Sequence, residues 1–203
     1  MELREIIASG RYRDCYATDN PGVCVKRLKT TVRKKYFWIE IWYPSKWYMR
    51  RKFGIWNFNA YEHQIYSSLP EELKPYIPSL IEIHNEDLVL ERVRNASWLY
   101  SSTLEESWII VDEVFWAHIH RIRDIFVQRQ LWFLDVFHKW NNILVKQDED
   151  GHSSPVLIDL KRLWRDTYPF QLNLLFPGQV AQKFTRRFEN FKANFKWSKE
   201  SRT

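Results

Sequence analysis

The order of strand-like and helix-like segments constrains the fold of this chain more than any other feature. Three short, mostly apolar runs open the sequence, at residues 3–8, 14–17 and 23–26. The turn residues Asp19-Asn20-Pro21-Gly22 separate the second run from the third. We therefore expect three antiparallel strands at the start of the chain.

Helical spacing dominates the rest of the sequence. Residues 58–69 place apolar side chains three and four positions apart, and Pro70 ends that pattern. Residues 80–83 and 88–91 predict one more hairpin. Residues 104–130 are the longest periodic segment and predict a long helix, while residues 179–195 predict a basic amphipathic helix. Strands followed by helices in this order are typical of an α+β protein.

A basic and aromatic region interrupts this pattern at residues 27–52, and we interpret it as a helix or a mobile connector. The whole chain has 31 Lys and Arg against 25 Asp and Glu, and its aromatic fraction is 17%. This excess suits nucleotides, nucleic acid or an anionic membrane surface. The aromatic residues between 36 and 56 favour packing in the core, with base stacking and a membrane interface as alternatives.

The length of 203 residues suits a single domain, or one built of two small lobes. The first five residues carry charges where a signal peptide needs an apolar core, and no stretch approaches about 18 uninterrupted apolar residues. Cys15 and Cys24 lack the spacing of a zinc site or a disulfide framework, so we expect two reduced thiols. These observations predict a cytoplasmic protein.

Four polar residues fall in the order in which a protein-kinase fold holds ATP and its metal. Lys26, on the third predicted strand, would neutralise the α- and β-phosphates, and Glu62, on the following helix, would fix it by an ion pair. Asn142 begins and Asp159 ends two further short apolar strands. Their side-chain oxygens are the hard ligands that Mg²⁺ prefers. Each residue alone is a weak signal, but the order of all four predicts ATP and Mg²⁺ as cofactors.

The segments around these residues resemble a known family. The opening Ser9-Gly10-Arg11-Tyr12-Arg13-Asp14-Cys15-Tyr16, followed by Cys24-Val25-Lys26, looks like the G-R-x-R-x-C-Y and C-[IV]-K motifs of the YrbL family, bacterial proteins of the PhoP regulatory network. Three later segments are also similar to that family. Its ion-pair helix resembles Tyr61-Glu62-His63-Gln64-Ile65-Tyr66, and its K-P-x-N-I-L segment resembles Lys139-Trp140-Asn141-Asn142-Ile143-Leu144-Val145. Its metal-binding strand resembles Val156-Leu157-Ile158-Asp159. Trp140 replaces the proline of the family pattern.

The resemblance implies an α+β, two-lobed protein-kinase-like fold that forms one domain over residues 1–203. Its N-lobe, residues 1–92, would hold a five-stranded antiparallel sheet and the ion-pair helix, and its C-lobe, residues 93–203, would be reduced and helical. ATP with Mg²⁺ would bind between the lobes near a hinge at residues 90–92, with Glu91 among the nucleotide-binding residues. Asn142 and Asp159 would be the metal ligands.

The phosphate-binding loop departs from the usual kinase pattern. Gly10 stands alone where a kinase has several glycines, so backbone amides approach phosphates less closely. Arg11 and Arg13 would replace these contacts with guanidinium groups, or else they are surface arginines of a hairpin turn.

The catalytic loop departs further. Counting five residues back from Asn142 reaches Phe137, which accepts no proton, so the usual catalytic aspartate is missing. Asp135 would serve as a base only if the loop were re-routed. Lys139 is a candidate for stabilising charge on the transferred phosphate, and Asp159 would hold the catalytic metal. The sequence leaves open whether the protein is an enzyme.

Three functions follow from these observations. The first is a kinase-like nucleotide-binding protein, either an atypical phosphotransferase with a protein or sugar acceptor or a regulatory pseudokinase. The second is an envelope enzyme that phosphorylates lipopolysaccharide core sugars. The third is a basic binding module without nucleotide that holds a protein partner or, less in favour, nucleic acid.

Overall fold

The computed structural model describes residues 1–36, 38–84, 86–97, 99–106, 111–133, 136–137, 140–160 and 177–200. The protein has an α+β fold, and the chain divides into two compact units. Unit 1 consists of Met1–Leu69 and Pro78–Arg92, and unit 2 of Pro70–Ile77 and Val93–Thr203. The chain passes from unit 1 to unit 2 after Leu69 and again after Arg92. The division into an N-lobe, residues 1–92, and a C-lobe, residues 93–203, stays a prediction.

A five-stranded antiparallel sheet forms the centre of unit 1, as the sequence predicts. The strands are β1 Leu3–Ser9, β2 Arg13–Thr18, β3 Val23–Leu28, β6 Leu80–His84 and β7 Asp87–Glu91, and a separate hairpin contributes β4 Thr31–Tyr36 and β5 Ile39–Pro44. The strand order in the sheet is β1-β2-β3-β7-β6. The middle strands β3 and β7 carry the most deeply buried side chains of the sheet, among them Val25 and Leu88 at 0% exposure.

The hairpin β4–β5 corrects the prediction of a helix or a mobile connector for residues 27–52. Only its last part is helical, as helix α1, Ser45–Phe53. Gly54 ends α1 in the left-handed conformation, with φ of 70°, and its N–H donates to the Arg50 carbonyl at 2.9 Å. The sequence signal was weak because basic side chains obscure the alternation in β4 and residues 37–38 are Phe and Trp, which are not turn formers.

Helix α2, Phe58–Ser68, packs its apolar face against the sheet of unit 1. Asn57 caps its N-terminus by accepting hydrogen bonds from the N–H groups of Asn59, at 2.8 Å, and Ala60, at 3.2 Å. The residues that α2 buries are Phe58, Asn59, Glu62, Ile65 and Tyr66. Two polar residues therefore lie on an otherwise apolar helix face.

Unit 2 combines two long helices with a short hairpin. Its elements are a 3₁₀ helix Glu71–Tyr76, helix α3 Glu113–Gln128, the strands β8 Ile143–Gln147 and β9 Ser153–Leu157, and helix α4 Pro177–Glu200. The predicted start of α3 near residue 104 is wrong, because the Leu104 N–H donates to the carbonyl of Ile143, on β8, at 2.7 Å and is not part of a helix. The helix begins after Asp112, whose carboxylate accepts the Phe115 N–H at 2.8 Å.

Candidate functional site

The structure brings Lys26 and Glu62 together within unit 1. Lys26 lies on the central strand β3, where it pairs with Cys15 of β2 and Leu88 of β7. Its ammonium nitrogen donates to Glu62 Oε1 at 2.7 Å. Glu62 comes from the buried face of α2, and its side chain is 0% exposed, against 14% for that of Lys26. The ion pair expected from the sequence is therefore formed.

Arg13 is a second cation on the same carboxylate. Its guanidinium contacts Glu62 Oε2 and donates to Asn59 Oδ1 at 2.8 Å. The amide of Asn59 in turn donates to the carbonyl oxygens of Lys26, at 2.7 Å, and Glu86. Arg13, Asn59 and Glu62 are all buried. We call Arg13, Lys26, Asn59 and Glu62 the Glu62 network; a contact between Arg13 and phosphate stays a prediction.

The Glu62 network carries one more positive than negative charge. A buried carboxylate needs a partner, since an uncompensated charge in the interior costs about 3–5 kcal/mol. Arg13, whose side chain is 5% exposed, already supplies that partner. Lys26 adds a second cation and is the more exposed of the two. An anion that approaches its ammonium group would meet a net positive charge.

Asn59 was missed by the sequence reasoning, and so was the pairing of Arg13 with Glu62. A signal for Asn59 was present, because residues 59 and 62 are three apart and therefore share a helix face with apolar side chains. Polar groups in such a position need hydrogen-bond partners inside the protein. No comparable signal identified Arg13, since its partner lies on another element.

Cys15 and Cys24 lie on the neighbouring strands β2 and β3 and are free thiols, as expected. The interaction with the Cys24 thiol lowers the pKa of Cys15, and the charges of Lys26 and Arg13 lower it further, against the opposing effect of burial. The same interaction and burial raise the pKa of Cys24, whose thiol donates to the Glu91 carbonyl at 3.8 Å. Cys15 is thus the more reactive thiol of the two.

Gly10 and Arg11 lie in the turn between β1 and β2. The Gly10 N–H donates to the Arg13 carbonyl at 2.8 Å, and a Cβ on Gly10 would lie 3.1 Å from that oxygen, which explains a glycine here. Arg11 is exposed. A cavity of about 330 Å³ adjoins the turn and is lined by Gly10, Arg11, Lys29, Thr31, Arg33 and Trp42.

Glu91 ends β7, and its polar groups are engaged within unit 1. Its carboxylate accepts hydrogen bonds from the hydroxyl of Ser79, at 2.7 Å, and from the Ser79 N–H, at 3.2 Å. The N–H groups of Glu91 and Arg92 donate to the carbonyls of Ser79 and Gly22. Recognition of an adenine by either amide would require one of these hydrogen bonds to break.

Asn142 and Asp159 lie at the same end of the β8–β9 hairpin in unit 2. Ile143 and Leu157 are opposite each other in that hairpin, and the Ile158 N–H donates to the Asn142 carbonyl at 2.9 Å. Asp159 follows β9 by two residues and has a φ of 67°, in the left-handed region that non-glycine residues rarely occupy. The two predicted metal ligands, 17 positions apart in sequence, are therefore neighbours along the hairpin.

Phe137, at the position of the missing catalytic aspartate, is a core residue of unit 2. Its side chain is 3% exposed and packs against the rings of Phe184, Phe188 and Phe191 of α4. The described residues thus place no proton acceptor at this position. Asp135 and Lys139 lie outside the described residues, so their predicted roles stay predictions.

The described residues lack two features, a cluster of metal ligands and a membrane-spanning helix. No three His, Cys, Asp or Glu side chains in this part of the chain group closely enough to hold a metal ion. Among the helices that the structure describes, none has both the length and the apolar character needed to cross a membrane.

No protein-family model matches the sequence, and no curated protein matches it. The resemblance to the YrbL family therefore stays a prediction that depends on the motifs themselves.

Proposed function

We propose that this chain is a kinase-like protein that binds ATP with Mg²⁺. The observation that carries the proposal is the surplus cation of the Glu62 network. Lys26 sits on the central strand of the sheet, tethered at 2.7 Å by a fully buried carboxylate from α2. A lysine fixed in this way presents a positioned charge to the α- and β-phosphates of a nucleotide.

A purely structural ion pair explains this arrangement less well. Arg13 compensates the charge of Glu62 without help from Lys26, and it is the better buried of the two cations. A second cation on a neutralised pair adds repulsion between Arg13 and Lys26. An anion held beside the ammonium group of Lys26 would offset this repulsion.

The β8–β9 hairpin supplies the second support for the proposal. Asn142 and Asp159 offer an amide oxygen and a carboxylate from one end of the hairpin. Mg²⁺ keeps several water ligands and often takes only one or two ligands from the protein, so two oxygen donors suit it. The left-handed backbone of Asp159 is a strained conformation of the kind that persists at functional sites.

The proposal covers nucleotide binding and leaves two forms of function, an atypical phosphotransferase and a regulatory pseudokinase. Phosphoryl transfer depends mostly on positioning and on neutralising charge. A missing general base lowers the rate by about 10²- to 10⁴-fold, which leaves a slow transferase active. Labelled ATP with protein and sugar acceptors separates the two forms by the presence or absence of transferred phosphate.

Thermal stabilisation by nucleotide tests the proposal. ATP with Mg²⁺ at about 100 times its Kd would stabilise the wild type by about 2.7 kcal/mol, measured as a rise in melting temperature. Lys26→Met and Asp159→Asn should each abolish that rise. Lys26→Met should still fold, because Arg13 remains on Glu62.

Arg27→Met is the matched control, because Arg27 is the next residue on β3 and pairs with Asp87 at a side-chain exposure of 48%. This variant should keep the full response to nucleotide. A wild type that shows no shift with ATP and Mg²⁺ would contradict the proposal and favour a binding module without nucleotide.

A further inference from the structure

The positive charge of the chain is concentrated in the hairpin β4–β5 and in the region of α1. Residues 31–57 contain seven Lys and Arg and a single acidic residue, Glu40. The net charge of these residues therefore equals the formal net charge of the whole chain, +6. The remaining residues are therefore balanced overall, and this region provides the strongest attraction for an anionic partner.

The same region exposes large apolar side chains. Trp38, at the closed end of the hairpin, is 93% exposed, Ile39 beside it 65% and Trp42 60%. Ile41 of β5, Trp47 of α1 and Trp56 after α1 are also exposed. A cluster of exposed apolar residues among basic ones marks an interaction surface. We call residues 31–57 the hairpin surface.

Several aromatic rings of the hairpin surface are held in place by their neighbours. Tyr43 stacks on Trp47 with ring centroids 5.6 Å apart and 9° between planes. Arg51 lies over the ring of Trp47 at 5.2 Å, and Arg50 over that of Trp56 at 4.1 Å. Tryptophan beside arginine is the composition that favours the interface between lipid headgroups and acyl chains.

A basic cavity adjoins the β4–β5 hairpin. The cavity of about 330 Å³ is lined by the cations Arg11, Lys29 and Arg33 and by Trp42. Arg33 and Trp42 face each other across the hairpin, three residues from the last pair before its closed end. At about 3.4 Å per residue, that distance is about 10 Å.

The carboxylates that pair with these cations can be replaced by another anion. Arg33 contacts Glu40 at 3.3 Å, and both side chains are well exposed, at 59% and 40%. Lys29 contacts Asp14 at 3.0 Å in a partly exposed pair. Exposed pairs of this kind contribute little to stability, so a lipid phosphate can replace the carboxylate.

We infer that the hairpin surface docks onto an anionic lipid bilayer. Trp38 and Ile39 enter the boundary between headgroups and acyl chains, and the cations lining the cavity bind headgroup phosphates about 10 Å above them, within the usual depth of interfacial insertion. The exposed isoleucines favour lipid over nucleic acid, because base stacking uses aromatic faces and gains nothing from aliphatic side chains. This inference does not depend on nucleotide binding, since Lys26 and Glu62 lie outside the hairpin surface.

Vesicle flotation tests the inference with the full-length protein. The wild type should float with vesicles of phosphatidylcholine and phosphatidylglycerol and stay unbound with phosphatidylcholine alone. Binding should be lost in about 1 M NaCl, where the screening length falls to about 3 Å. Trp38→Ser and Arg33→Glu should each weaken binding by about tenfold, because one removes the inserted ring and the other reverses a charge near the headgroups.

Two exposed positions on the five-stranded sheet provide matched controls. Ile81→Ser, on β6 at 51% exposure, and Arg4→Glu, on β1, should float as the wild type does. All four substitutions are at exposed positions, so unchanged thermal melting is expected and verifies folding.

Vesicles with brominated acyl chains provide a depth measurement, since they should quench the tryptophan fluorescence of the wild type more than that of Trp38→Phe.

The inference fails if the wild type does not float with the anionic vesicles, or if Trp38→Ser and Arg33→Glu bind them as well as the controls do. Binding of a single-stranded oligonucleotide without any binding of vesicles would also overturn it and assign the surface to nucleic acid.

Discussion

Lys26 interacts with two side chains, Glu62 and Cys15, in different ways. Its ammonium group donates to Glu62, and its positive charge acts on Cys15, its partner across β2 and β3. The first contact fixes the position of the charge, and the second makes a nearby thiol sensitive to it. Cys15 therefore reports on the charge state around Lys26.

Alkylation of Cys15 should follow this electrostatic arrangement. Because its pKa is lowered, its rate of reaction with iodoacetamide should rise at a lower pH than that of an ordinary thiol. Cys24→Ala removes the thiol that contributes most to the lowering, so the profile of rate against pH should move to higher pH. Mass spectrometry of the Cys15 peptide measures the rate; an unchanged profile in Cys24→Ala would refute this assignment.

The same thiol provides a test of the proposed nucleotide binding. A triphosphate beside Lys26 neutralises its charge, so ATP with Mg²⁺ should slow the alkylation of Cys15 in the wild type. In Lys26→Met the reaction should already be slower, and nucleotide should change it no further.

At the scale of residues, the sequence predicted contacts that follow from element order and missed contacts that depend on packing. Lys26 and Glu62 were paired correctly, because a strand lysine and a glutamate on the next helix are brought together by the topology. Arg13 was expected either to contact phosphate or to be a surface arginine; it is buried against Glu62 and Asn59, which excludes the second alternative, and the phosphate contact stays a prediction. Which way a side chain of β2 faces depends on register, and one residue of shift reverses it.

Among the elements, helices α3 and α4 pack through aromatic rings, and a polar contact also joins them. Phe126 lies 6.0 Å from Phe184, and His120 lies 5.2 Å from Phe188, between ring centroids. Lys192 of α4 contacts His120 Nε2 at 3.0 Å. A neutral imidazole can accept this hydrogen bond, whereas a protonated one cannot.

Acid should therefore loosen the packing of these helices. Burial and the charges of Lys192 and Arg123 lower the pKa of His120 below its usual 6.5, although the carboxylates of Asp124 and Glu189 oppose the shift. The unfolded chain then binds the proton more readily, so this contribution to stability is full above about pH 6.5 and declines as the pH falls below it.

Melting curves across this pH range test the prediction. His120→Gln keeps a neutral acceptor for Lys192 at every pH, so its melting temperature should fall less on acidification than that of the wild type. The two proteins differ only at residue 120, so a difference between their curves reports on that side chain. Parallel curves for the two proteins would contradict the assignment.

Element prediction succeeded where turn residues mark the boundaries. Asp19-Asn20-Pro21-Gly22 separates β2 from β3, and both strands were found. The hairpin β4–β5 was missed because its turn lacks Gly, Asn and Pro and its strands carry several cations. The start of α3 was placed too early, because apolar periodicity was followed past the capping residue Asp112.

In the whole molecule, each unit is assembled from two separate stretches of chain. The 3₁₀ helix Glu71–Tyr76 belongs to unit 2 although parts of unit 1 precede and follow it. It is tied to α3 by Arg129, which donates to Glu72 at 2.6 Å, and by the hydroxyl of Tyr76, which lies 2.8 Å from His118 Nδ1. Leu73, 1% exposed, anchors it in the core.

Leu73→Ala should therefore weaken unit 2 in particular. Removing a buried leucine side chain costs about 2–5 kcal/mol. Hydrogen exchange of the intact protein should show faster exchange of amides in α3, with a smaller change in the sheet of unit 1. Lys74→Ala, at an exposed neighbouring position, is the control and should change neither; equal acceleration in both units would refute the division.

The strand order β1-β2-β3-β7-β6 has a consequence for synthesis on the ribosome. β3 ends at Leu28, but its second partner, β7, begins only at Asp87. At about 5–20 residues per second, roughly three to twelve seconds of translation separate the two. During that interval the nascent chain holds an open strand edge, the kind of surface that chaperones shield from neighbouring polypeptides.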